Sequence, residues 1–332
     1  MKEGKTMADN KSLARAKNNK EDEFYTKITD IEKELKHYRQ YFKGAVIFCN
    51  CDDPEYSNFW RYFQLNFYEF GIKKLISTHY TAGEPSYKME IVATDERQQI
   101  GIPDYVKTPL QGNGDFKSPE CIEILKEADI IITNPPFSLF PEYLQMLIEY
   151  EKRFLIVADS DKLHYKEIFP LLQENKMWLG YNYGDMEFVV PDYYEPRETR
   201  YREENGVKYR SKGNICWLTN LDIPKRHENL LLYKTYDKEE YPTYINFDAI
   251  EVGKVAEIPI DYYGFMGVPD SFLSLHNPEQ FELVGLGCGN MAKKIGIGKN
   301  HRGRTDVAYL KDGKYKCPYS RIIIKRKVSD TE

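Results

Sequence analysis

Residues 128–140 read ADIIITNPPFSLF. The apolar, largely β-branched run in Asp129–Thr133 predicts a short buried strand. The strand ends at the tetrapeptide Asn134-Pro135-Pro136-Phe137, and the segment PEYLQMLIEYEK then predicts a helix that leads to a second apolar strand, RFLIVAD. Strand, helix and strand in this order are typical of a parallel α/β sheet.

The same alternation recurs upstream. Ala45 to Cys49 is a short apolar strand, NFWRYFQLNFYEFG predicts a helix that ends at Gly71, KKLISTHY is a strand, and Ser118 to Glu127 predicts a helix. Apolar strands separated by helices predict an α/β fold with a doubly wound, mostly parallel sheet. Because such folds bind ligands at the carboxyl ends of their strands, NCDDP and TNPPF are predicted to lie at the functional edge.

Asn134 and its neighbours could bind a planar amine. The Asn134 amide oxygen and the Pro135 carbonyl are acceptors, and two acceptors held close together suit an –NH₂ group with two hydrogens. The Phe137 ring can lie flat against the same group, and the Pro135-Pro136 corner keeps the pocket rigid.

A helix N-terminus is the ordinary alternative for this tetrapeptide, with Ser138 as its cap and Pro141 in its first turn. The four residues alone do not separate a turn from a binding site. Their position between a strand and a helix favours the site, because α/β folds place their chemistry there.

Charge is unevenly distributed along the chain. The formal net charge is −5, which on its own counts against a nucleic-acid-binding protein. In the stretch 293–327 the acidic residues are Asp306 and Asp312. The basic residues of the same stretch are Lys293, Lys294, Lys299, Arg302, Arg304, Lys311, Lys314, Lys316, Arg321, Lys325, Arg326 and Lys327. This pattern indicates either a solvated face or a surface that binds phosphates.

The 6 cysteines do not follow a disulfide or zinc-ribbon spacing, so we expect reduced thiols and no metal site. The sequence lacks an apolar run of membrane-spanning length and a signal-peptide pattern. It therefore predicts a cytoplasmic protein that does not contact a membrane.

Three segments are predicted from the change in pattern along the chain. Residues 1–20 are polar and basic and predict a flexible tail. Helix–strand alternation continues through 21–232 and fades in 233–332, which predicts a large domain followed by a smaller region. Within the large domain, 191–213 is a long charged, tyrosine-rich excursion, and loops of such length are uncommon unless they are functional or disordered.

Several blocks then resemble, in order, the EcoRI-type adenine-specific DNA methyltransferases, and they cover Asp22 to Lys327. These are DEFYT, VIFCNCDDPEYSNF, GDF, ADIIITNPPFSLFPEYL, FVVP, WLTNLD, MGVP, NPEQFELVG and KCPYSRIIIK. The resemblance implies a Rossmann-like methyltransferase domain in 21–232 and a target-recognition region in 233–332. It also implies methyl transfer from S-adenosylmethionine to adenine N6 in double-stranded DNA.

The family further implies a monomeric modification enzyme of a restriction–modification system that needs no metal. A cognate restriction endonuclease would act on the same DNA site without direct contact. Two alternatives remain: an amino-group methyltransferase acting on RNA or on a protein glutamine, and a catalytically inactive DNA-binding relative.

The resemblance also implies residue roles on the substrate side. Asn134 and the Pro135 carbonyl would bind the N6 hydrogens, and Phe137 would stack on the flipped base. Phe188, before VVP, matches a second aromatic residue that packs against the base, although an ordinary core position is an equal alternative.

On the cofactor side, the resemblance implies that DEFYT lies over the methionine end of the cofactor, although Thr26 or Thr29 could instead cap a helix. The residues after the first strand would contact the methionine portion, and an acidic–aromatic pair would contact the cofactor's adenine. The candidates are Phe24, Tyr25, Thr26, Asn50, Cys51, Asp52, Asp53, Asp115, Phe116 and Asn134.

One departure concerns the glycine-rich loop that usually follows the first strand, because FCNCDDP replaces a G-x-G pattern. A second concerns the strand KKLISTHY, which ends without the acidic residue that commonly binds a ribose. Thr78, His79 or Glu84 could substitute for it.

Adenine N6 is inaccessible within a duplex, so a base-flipping enzyme is implied. The basic C-terminal stretch and the N-terminal tail are candidates for phosphate contacts. Side chains that could read bases are Arg197, Arg200, Arg202, Arg210, Lys299, Asn300, Arg302 and Arg304, and each could equally be a solvated surface residue.

Overall fold

The computed structural model of the chain describes residues 24–51, 53–83, 85–94 and 101–328. The described residues form two compact units, one within Met1–Lys162 and Gly180–Leu221 and the other within Leu163–Leu179 and Asp222–Glu332. The predicted tail 1–20 lies outside the described residues, and the predicted boundary between 232 and 233 stays a prediction.

The described strands and helices are numbered in chain order. A large sheet contains β1 Tyr25–Thr26, β2 Val46–Cys49, β3 Lys74–Thr78, β4 Tyr87–Val92, β5 Val106–Pro109, β6 Ile130–Thr133, β7 Arg153–Asp159, β8 Trp178–Val190, β9 Tyr201–Glu204 and β10 Val207–Thr219. Two smaller sheets contain β11 Ala249–Glu251, β12 Phe265–Val268, β13 Phe281–Leu286, β14 Tyr309–Lys311, β15 Lys314–Lys316 and β16 Ile322–Arg326. The α-helices are α1 Ile28–Leu35, α2 Asn58–Leu65, α3 Pro119–Glu127, α4 Phe140–Glu149, α5 Phe169–Gln173 and α6 Gly289–Lys294.

The centre of the large sheet is parallel, as the sequence predicts. Its main path is β1-β8-β10-β7-β6-β2-β3-β4-β5, and β9 pairs with β10. Strands β3, β2, β6 and β7 run parallel, and all residues of β2 and β6 are buried. Burial on both faces explains why these strands are apolar without alternation.

The prediction of a doubly wound, mostly parallel sheet is nevertheless only partly right, because the sheet is mixed. Strand β4 pairs antiparallel with β3 and β5, and β10 pairs antiparallel with β7 and β9. The described residues between β3, β4 and β5 contain no helix. Antiparallel neighbours need only a turn, whereas parallel neighbours need a crossover.

Much of the predicted loop 191–213 is ordered as a hairpin. Strand β9 pairs with the start of β10, and Asn205 and Gly206 form the turn with positive φ values of 51° and 77°. An Asn-Gly turn has the twist that joins antiparallel strands directly. The dipeptide within REENGVKYR is the local signal for this hairpin.

Buried Glu34 links α1 to β8. Its carboxylate accepts hydrogen bonds from Tyr38 Oη at 2.8 Å, from the backbone amides of Tyr181 and Asn182 at 2.8 and 2.9 Å, and from Asn182 Nδ2 at 2.6 Å. A buried carboxylate is tolerated because these donors replace its water. The same bonds give two partly buried backbone amides of β8 an acceptor.

The second unit contains a four-stranded sheet in the order β11-β12-β16-β13 and the separate β14–β15 hairpin. Ile322, Ile323 and Ile324 of β16 are fully buried. Glu251 is also buried, and it pairs with Arg321 at 2.6 Å and accepts a hydrogen bond from Tyr244 Oη. Arg321 of the basic stretch is therefore part of the fold of this unit.

In the described part of the chain, no helix combines the length and the apolar character that crossing a membrane requires.

Replacing Glu34 by alanine should lower the free energy of unfolding by about 3 kcal/mol, because buried donors lose their acceptor. Urea denaturation followed by circular dichroism measures this loss. Glu32→Ala, two residues away on the exposed side of α1, is the matched control and should change stability little. Equal effects of the two substitutions would contradict the assigned role of Glu34.

Candidate active site

The carboxyl ends of β2 and β6 form the centre of the candidate site. The two strands are parallel neighbours, with Ile47 opposite Ile130 and Phe48 opposite Ile131. From β2 the chain continues to β3 on one side, and it later returns to β6 on the other side. This reversal of strand order opens a crevice at the carboxyl edge, where open α/β sheets bind ligands.

Asn134 follows β6 at this edge and is only 7% exposed. Its Nδ2 donates a 2.6 Å hydrogen bond to the Phe24 carbonyl, which fixes the orientation of the amide. Pro135 is also buried, and a 3₁₀ turn over Phe137–Leu139 leads into α4. The Phe24 carbonyl thus orients the Asn134 amide, and the 3₁₀ turn follows directly after the two prolines.

The helix-terminus alternative holds in part. Pro141 lies in the first turn of α4, as that alternative predicts. The N-cap position, however, is Leu139, which provides no side-chain cap bond, so Ser138 does not occupy it.

Aromatic rings surround the tetrapeptide. The Phe24 ring centroid lies 5.5 Å from those of Phe137 and Phe188 and 6.1 Å from that of Tyr194. Phe137 and Phe188 are 6.1 Å apart and nearly perpendicular, and they are 5% and 0% exposed. The structure therefore brings Phe188 next to Phe137, although they are separated along the chain.

Lys212 of β10 covers this cluster. Its Nζ lies 4.0 Å from the centroid of Phe137 and 4.8 Å from that of Phe24. Asp159, the last residue of β7, lies 4.0 Å from the same nitrogen. These distances allow a cation–π contact with both rings and a weak ion pair.

The end of β2 contributes Asn50 and Cys51. The buried Asn50 Oδ1 accepts a hydrogen bond from Tyr143 of α4, and the Cys51 amide donates to Thr133 Oγ1 at 3.3 Å. Asn50 Nδ2 and the Oγ1 of Thr26 are buried and lack a hydrogen-bond partner within the described residues. Buried polar atoms of this kind are typical of positions that bind a ligand.

Asp53 extends from β2 toward the end of β3. Its Oδ2 lies 3.1 Å from His79 Nδ1, and its Oδ1 accepts hydrogen bonds from Tyr87 Oη at 2.8 Å and from the Glu55 amide at 3.0 Å. Burial alone would raise the pKa of the Asp53 carboxyl, but these hydrogen bonds outweigh burial and lower the pKa below its usual value. Asp53 is therefore a fixed carboxylate at neutral pH.

Asp115 and Phe116 lie on a loop that packs against the end of β3. Gly114 has a φ of +77°, and a Cβ there would lie 1.8 Å from the His79 carbonyl oxygen. Phe116 is buried, with its ring 5.2 Å from that of Tyr143, whereas Asp115 accepts the Lys117 amide at 2.8 Å near the start of α3. Phe116 thus joins the group around Asn50.

The structure accordingly gathers most of the predicted cofactor residues at one edge. Tyr25 and Thr26 of β1 pair with Val189 and Phe188 of β8. Asp52 lies outside the described residues, as do Glu84 and Asp22.

Sequence reasoning missed three further residues of this edge: Tyr87, Tyr143 and Lys212. Tyr87 and Lys212 lie in strands that contain both polar and apolar residues, and Tyr143 lies on the apolar face of a helix. Their patterns are those of ordinary structural residues, so no local signal separates them from the rest of the fold.

The four arginines predicted from 191–213 lie on or beside the β9–β10 hairpin. Arg202 forms a two-bond pair with Glu187, with both N–O distances 2.8 Å, and stacks 3.9 Å from the centroid of Tyr209. The Arg202 hydrogen bonds lower the pKa of the Glu187 carboxyl to about 2. Arg202 thus connects the hairpin to Glu187 of β8.

The other three arginines make weaker or backbone contacts. Arg210 donates to the carbonyl of Arg200 at 3.0 Å, Arg200 lies 3.4 Å from Asp185, and Arg197 lies 6.0 Å from the ring of Tyr194. Arg197 and Arg200 are exposed.

In the second unit, Lys299, Arg302 and Arg304 are exposed on one turn. Asn300 holds this turn: its Oδ1 accepts the amides of Arg302 at 2.8 Å and Arg304 at 3.3 Å, and its Nδ2 donates to the Asp306 carbonyl at 3.0 Å. Its buried side chain therefore folds the turn, and the three cations are its exposed groups.

The fold and the site define the class. A parallel β2–β6 pair with Asn-Pro-Pro-Phe at its carboxyl edge and an aromatic cluster beside it is the arrangement of an amino-group methyltransferase.

The chain belongs to the family of the adenine-specific methyltransferase EcoRI, whose model matches residues 12–327. It is 43% identical to the Type II methyltransferase M.EcoRI of Escherichia coli over 96% of this chain and 98% of the relative. It is 36% identical to the Type II methyltransferase M.MpnI of Mycoplasma pneumoniae over 94% and 97% of the two chains. It is 38% identical to the Type II methyltransferase M.MgeORF184P of Mycoplasma genitalium over 94% and 98%. No solved structure matches the chain.

Gly114→Ala should lower the melting temperature by several degrees, because the added Cβ would meet the His79 carbonyl in a backbone conformation that alanine disfavours. Differential scanning calorimetry measures the change. Gly83→Ala is a matched control, since Gly83 has a similar φ of +84° but open space around its Cβ position. A melting temperature as high as that of the control would show that the loop is not held against β3 in this way.

Proposed function

We propose that this protein is a site-specific DNA methyltransferase that transfers a methyl group from S-adenosylmethionine to the N6 amino group of an adenine flipped out of double-stranded DNA. The observation that carries the proposal is the position of Asn134-Pro135-Pro136-Phe137 at the carboxyl end of β6. There the tetrapeptide lies beside the end of β2 and next to Phe188.

The residues at this edge fit S-adenosylmethionine. Asn50 Nδ2 is a buried donor for the carboxylate of the methionine end, and the Thr26 hydroxyl is a second polar group for the same end. Phe116 offers an aromatic surface for the adenine, as the family resemblance implies. When bound, this cofactor supplies an electrophilic methyl group on a sulfonium.

Asp53 is the proposed ribose ligand. Nucleotide-binding α/β folds commonly bind a ribose with a carboxylate after the second strand of the unit, and β3 ends without one. His79 and Tyr87 hold the Asp53 carboxylate at that place. A carboxylate from the loop after β2 would thus replace the missing acidic residue of β3.

Asn134, Pro135 and Phe137 act on the amine. The Asn134 oxygen and the Pro135 carbonyl would accept the two N6 hydrogens, which would leave the nitrogen lone pair available to attack an electrophilic methyl group. As the nitrogen gains positive charge, both acceptors stabilise it, because they are oriented before the substrate binds. Phe137 would stack on the ring. No general base would be needed, because the methyl–sulfur bond would break as the N–C bond forms, leaving a neutral thioether, and the cationic nitrogen would then lose its proton to water.

Binding of the base requires that it leave the helical stack, at a cost of a few kcal/mol. Stacking on Phe137 and edge contact with Phe188 offset this cost. The exposed Lys299, Arg302 and Arg304 on the Asn300 turn are proposed to contact DNA, as are Arg197, Arg200 and Arg210. Arg202 is proposed to support the hairpin that presents them.

The proposal includes the segments and partners that the family implies. Residues 21–232 act as the catalytic domain and 233–332 as the target-recognition region of a monomer. A cognate restriction endonuclease acts at the same DNA site. Methylation of RNA or of a protein glutamine, and loss of activity in a DNA-binding relative, are the alternatives that the experiments below separate.

Asn134→Ala should reduce the rate of DNA methylation by about 10²- to 10³-fold, because one preorganised acceptor of the transition state is lost. Transfer of labelled methyl from S-adenosylmethionine to unmethylated bacterial DNA measures the rate, and sequencing locates the modified adenines. Asn66→Ala is the control, since Asn66 Nδ2 only donates to the Tyr62 carbonyl after α2.

Labelled adenine in one short motif, lost in Asn134→Ala and kept in Asn66→Ala, supports the proposal. Label in RNA or protein but not in DNA would select the first alternative. Binding of DNA without labelling of any substrate would select the inactive relative.

Asp53→Asn should weaken binding of S-adenosylmethionine by about 10-fold or more, because a charge-assisted hydrogen bond to a ribose hydroxyl is lost. Isothermal titration calorimetry measures the affinity without turnover. Tyr87→Phe, which keeps the carboxylate but removes one of its two side-chain contacts, should show a smaller loss. Wild-type affinity in Asp53→Asn, or an equal loss with a cofactor analogue that lacks the ribose hydroxyls, would exclude this role.

A further inference from the structure

Lys212 occupies the space that a stacked base would need. Its ammonium lies 4.0 Å from the centroid of the Phe137 ring, which is closer than the about 4.5–7 Å that separates the centroids of paired aromatic rings. Phe188 is fully buried and Phe137 is 5% exposed, whereas the Lys212 side chain keeps 25% of its exposure. Lys212 is thus more exposed than the two rings, and a base that stacks on the Lys212 side of Phe137 would have to displace its ammonium.

The register of β10 and the charge of Asp159 both place Lys212 beside Phe137. Strand β10 runs antiparallel to β7 with Ile215 opposite Asp159, so Lys212 lies just beyond the carboxyl end of β7. This is the same edge of the sheet as Asn134. Asp159 is an anion 4.0 Å away, at the limit of an ion pair.

The ring contacts of Lys212 and its pair with Asp159 are individually weak. A cation–π contact at a partly exposed site contributes only about 0.5–1 kcal/mol, and a long ion pair contributes about as little. A base that stacks on Phe137 would displace the ammonium from the ring face. The displaced group would then lie at the rim of the bound base with hydrogens to donate.

We infer that Lys212 is a substrate-contacting residue whose ammonium moves from the ring of Phe137 to a ring nitrogen of the flipped adenine. Adenine has acceptors at N1, N3 and N7, whereas Asn134 and Pro135 accept from its amino group. The ammonium has three donors and no acceptor, so it favours a base whose ring edge accepts. This role of Lys212 rests on the proposed function.

Two kinds of hydrogen-bonding group would then select the base in this pocket. Acceptors at the end of β6 select an amino group, and a donor on β10 selects a ring acceptor beside it. Guanine and thymine present a ring N–H at the positions where adenine N1 and cytosine N3 accept. A donor at that edge would therefore discriminate against them, because it would meet another donor.

The test uses the full chain and short duplexes that contain its methylation site. Lys212→Met removes the charge and keeps the length of the side chain, and Lys212→Arg keeps the charge. Lys208→Met is the matched control, because Lys208 lies on the same strand and its Nζ donates to the Tyr194 carbonyl at 3.1 Å. Melting temperature and cofactor binding show that each variant is folded.

Duplexes with 1-deaza-, 3-deaza- or 7-deazaadenine at the target remove one acceptor each. In the wild type, one of them should lower kcat/KM by about 10- to 100-fold, the range expected for a hydrogen bond to a charged donor. In Lys212→Met, kcat/KM for the normal duplex should fall by a similar factor. The deaza substitution that lowers kcat/KM in the wild type should lower it little further in Lys212→Met, because the hydrogen bond is already lost. In Lys208→Met, the same deaza substitution should lower kcat/KM as much as in the wild type.

A duplex with an abasic target distinguishes a base contact from a phosphate contact. If Lys212 binds the base, Lys212→Met and the wild type should bind the abasic duplex equally. Weaker binding of that duplex by Lys212→Met would assign the lysine to the backbone and overturn the inference. Independent losses for all three deaza duplexes in Lys212→Met would also overturn it.

The wild-type measurement separates this inference from the function on which it rests. Methylation of the normal duplex by the wild type, with loss in Asn134→Ala, establishes the function whatever Lys212 does. If the wild type methylates no duplex, the proposed function fails, and the role of Lys212 fails with it.

Discussion

The parallel pairing of β2 with β6 is the constraint on which the site depends. Because the two strands run side by side in one direction, Asn50 and Asn134 reach the same edge of the sheet. Tyr143 of α4 donates to Asn50, and Thr133 accepts from the Cys51 amide, so the two strand ends are also joined by side chains. The crevice between the two strand ends is therefore lined by a hydrogen-bond donor of Asn50 on one side and by the acceptors of Asn134 and Pro135 on the other. Methyl transfer requires such an arrangement, since the two reacting groups must be held in line and close together.

Phe24 connects this crevice to the rest of the sheet. Its carbonyl orients the Asn134 amide, and its ring contacts both Phe137 and Phe188. The following strand, β1, pairs with β8, which contains Phe188. A single short segment therefore sets the direction of an acceptor and the packing of the aromatic surface. A displacement of Phe24 would change both, which couples the shape of the pocket to the chemistry that it performs.

Local patterns predicted much of this arrangement correctly. The buried strands at Val46–Cys49 and Ile130–Thr133 and the helices that begin at Asn58 and Pro119 were readable because apolar patterns are short-range features. The first of these helices ends at Leu65, before the predicted end at Gly71. The mostly parallel sheet was predicted only in part, because a strand's direction depends on a partner that its own sequence does not specify. Asn205-Gly206 in the supposed loop was a readable hairpin signal, but the surrounding charges favoured an irregular segment. Asn300 was one candidate for reading bases, and in the structure its amide holds the turn that carries Arg302 and Arg304.

The sequence by itself determined the chemical groups at the end of β6, because Asn134-Pro135-Pro136-Phe137 is contiguous and its prolines fix the local backbone. It also determined the family, since the blocks that carry the resemblance extend along nearly the whole chain. Only the tertiary structure decided which distant groups meet them: Phe24, 110 positions from Asn134, and Lys212 over Phe137. The same is true of His79 and Tyr87 around Asp53. These contacts arise from strand order and register, which depend on the summed packing of the sheet and leave no mark on any one segment.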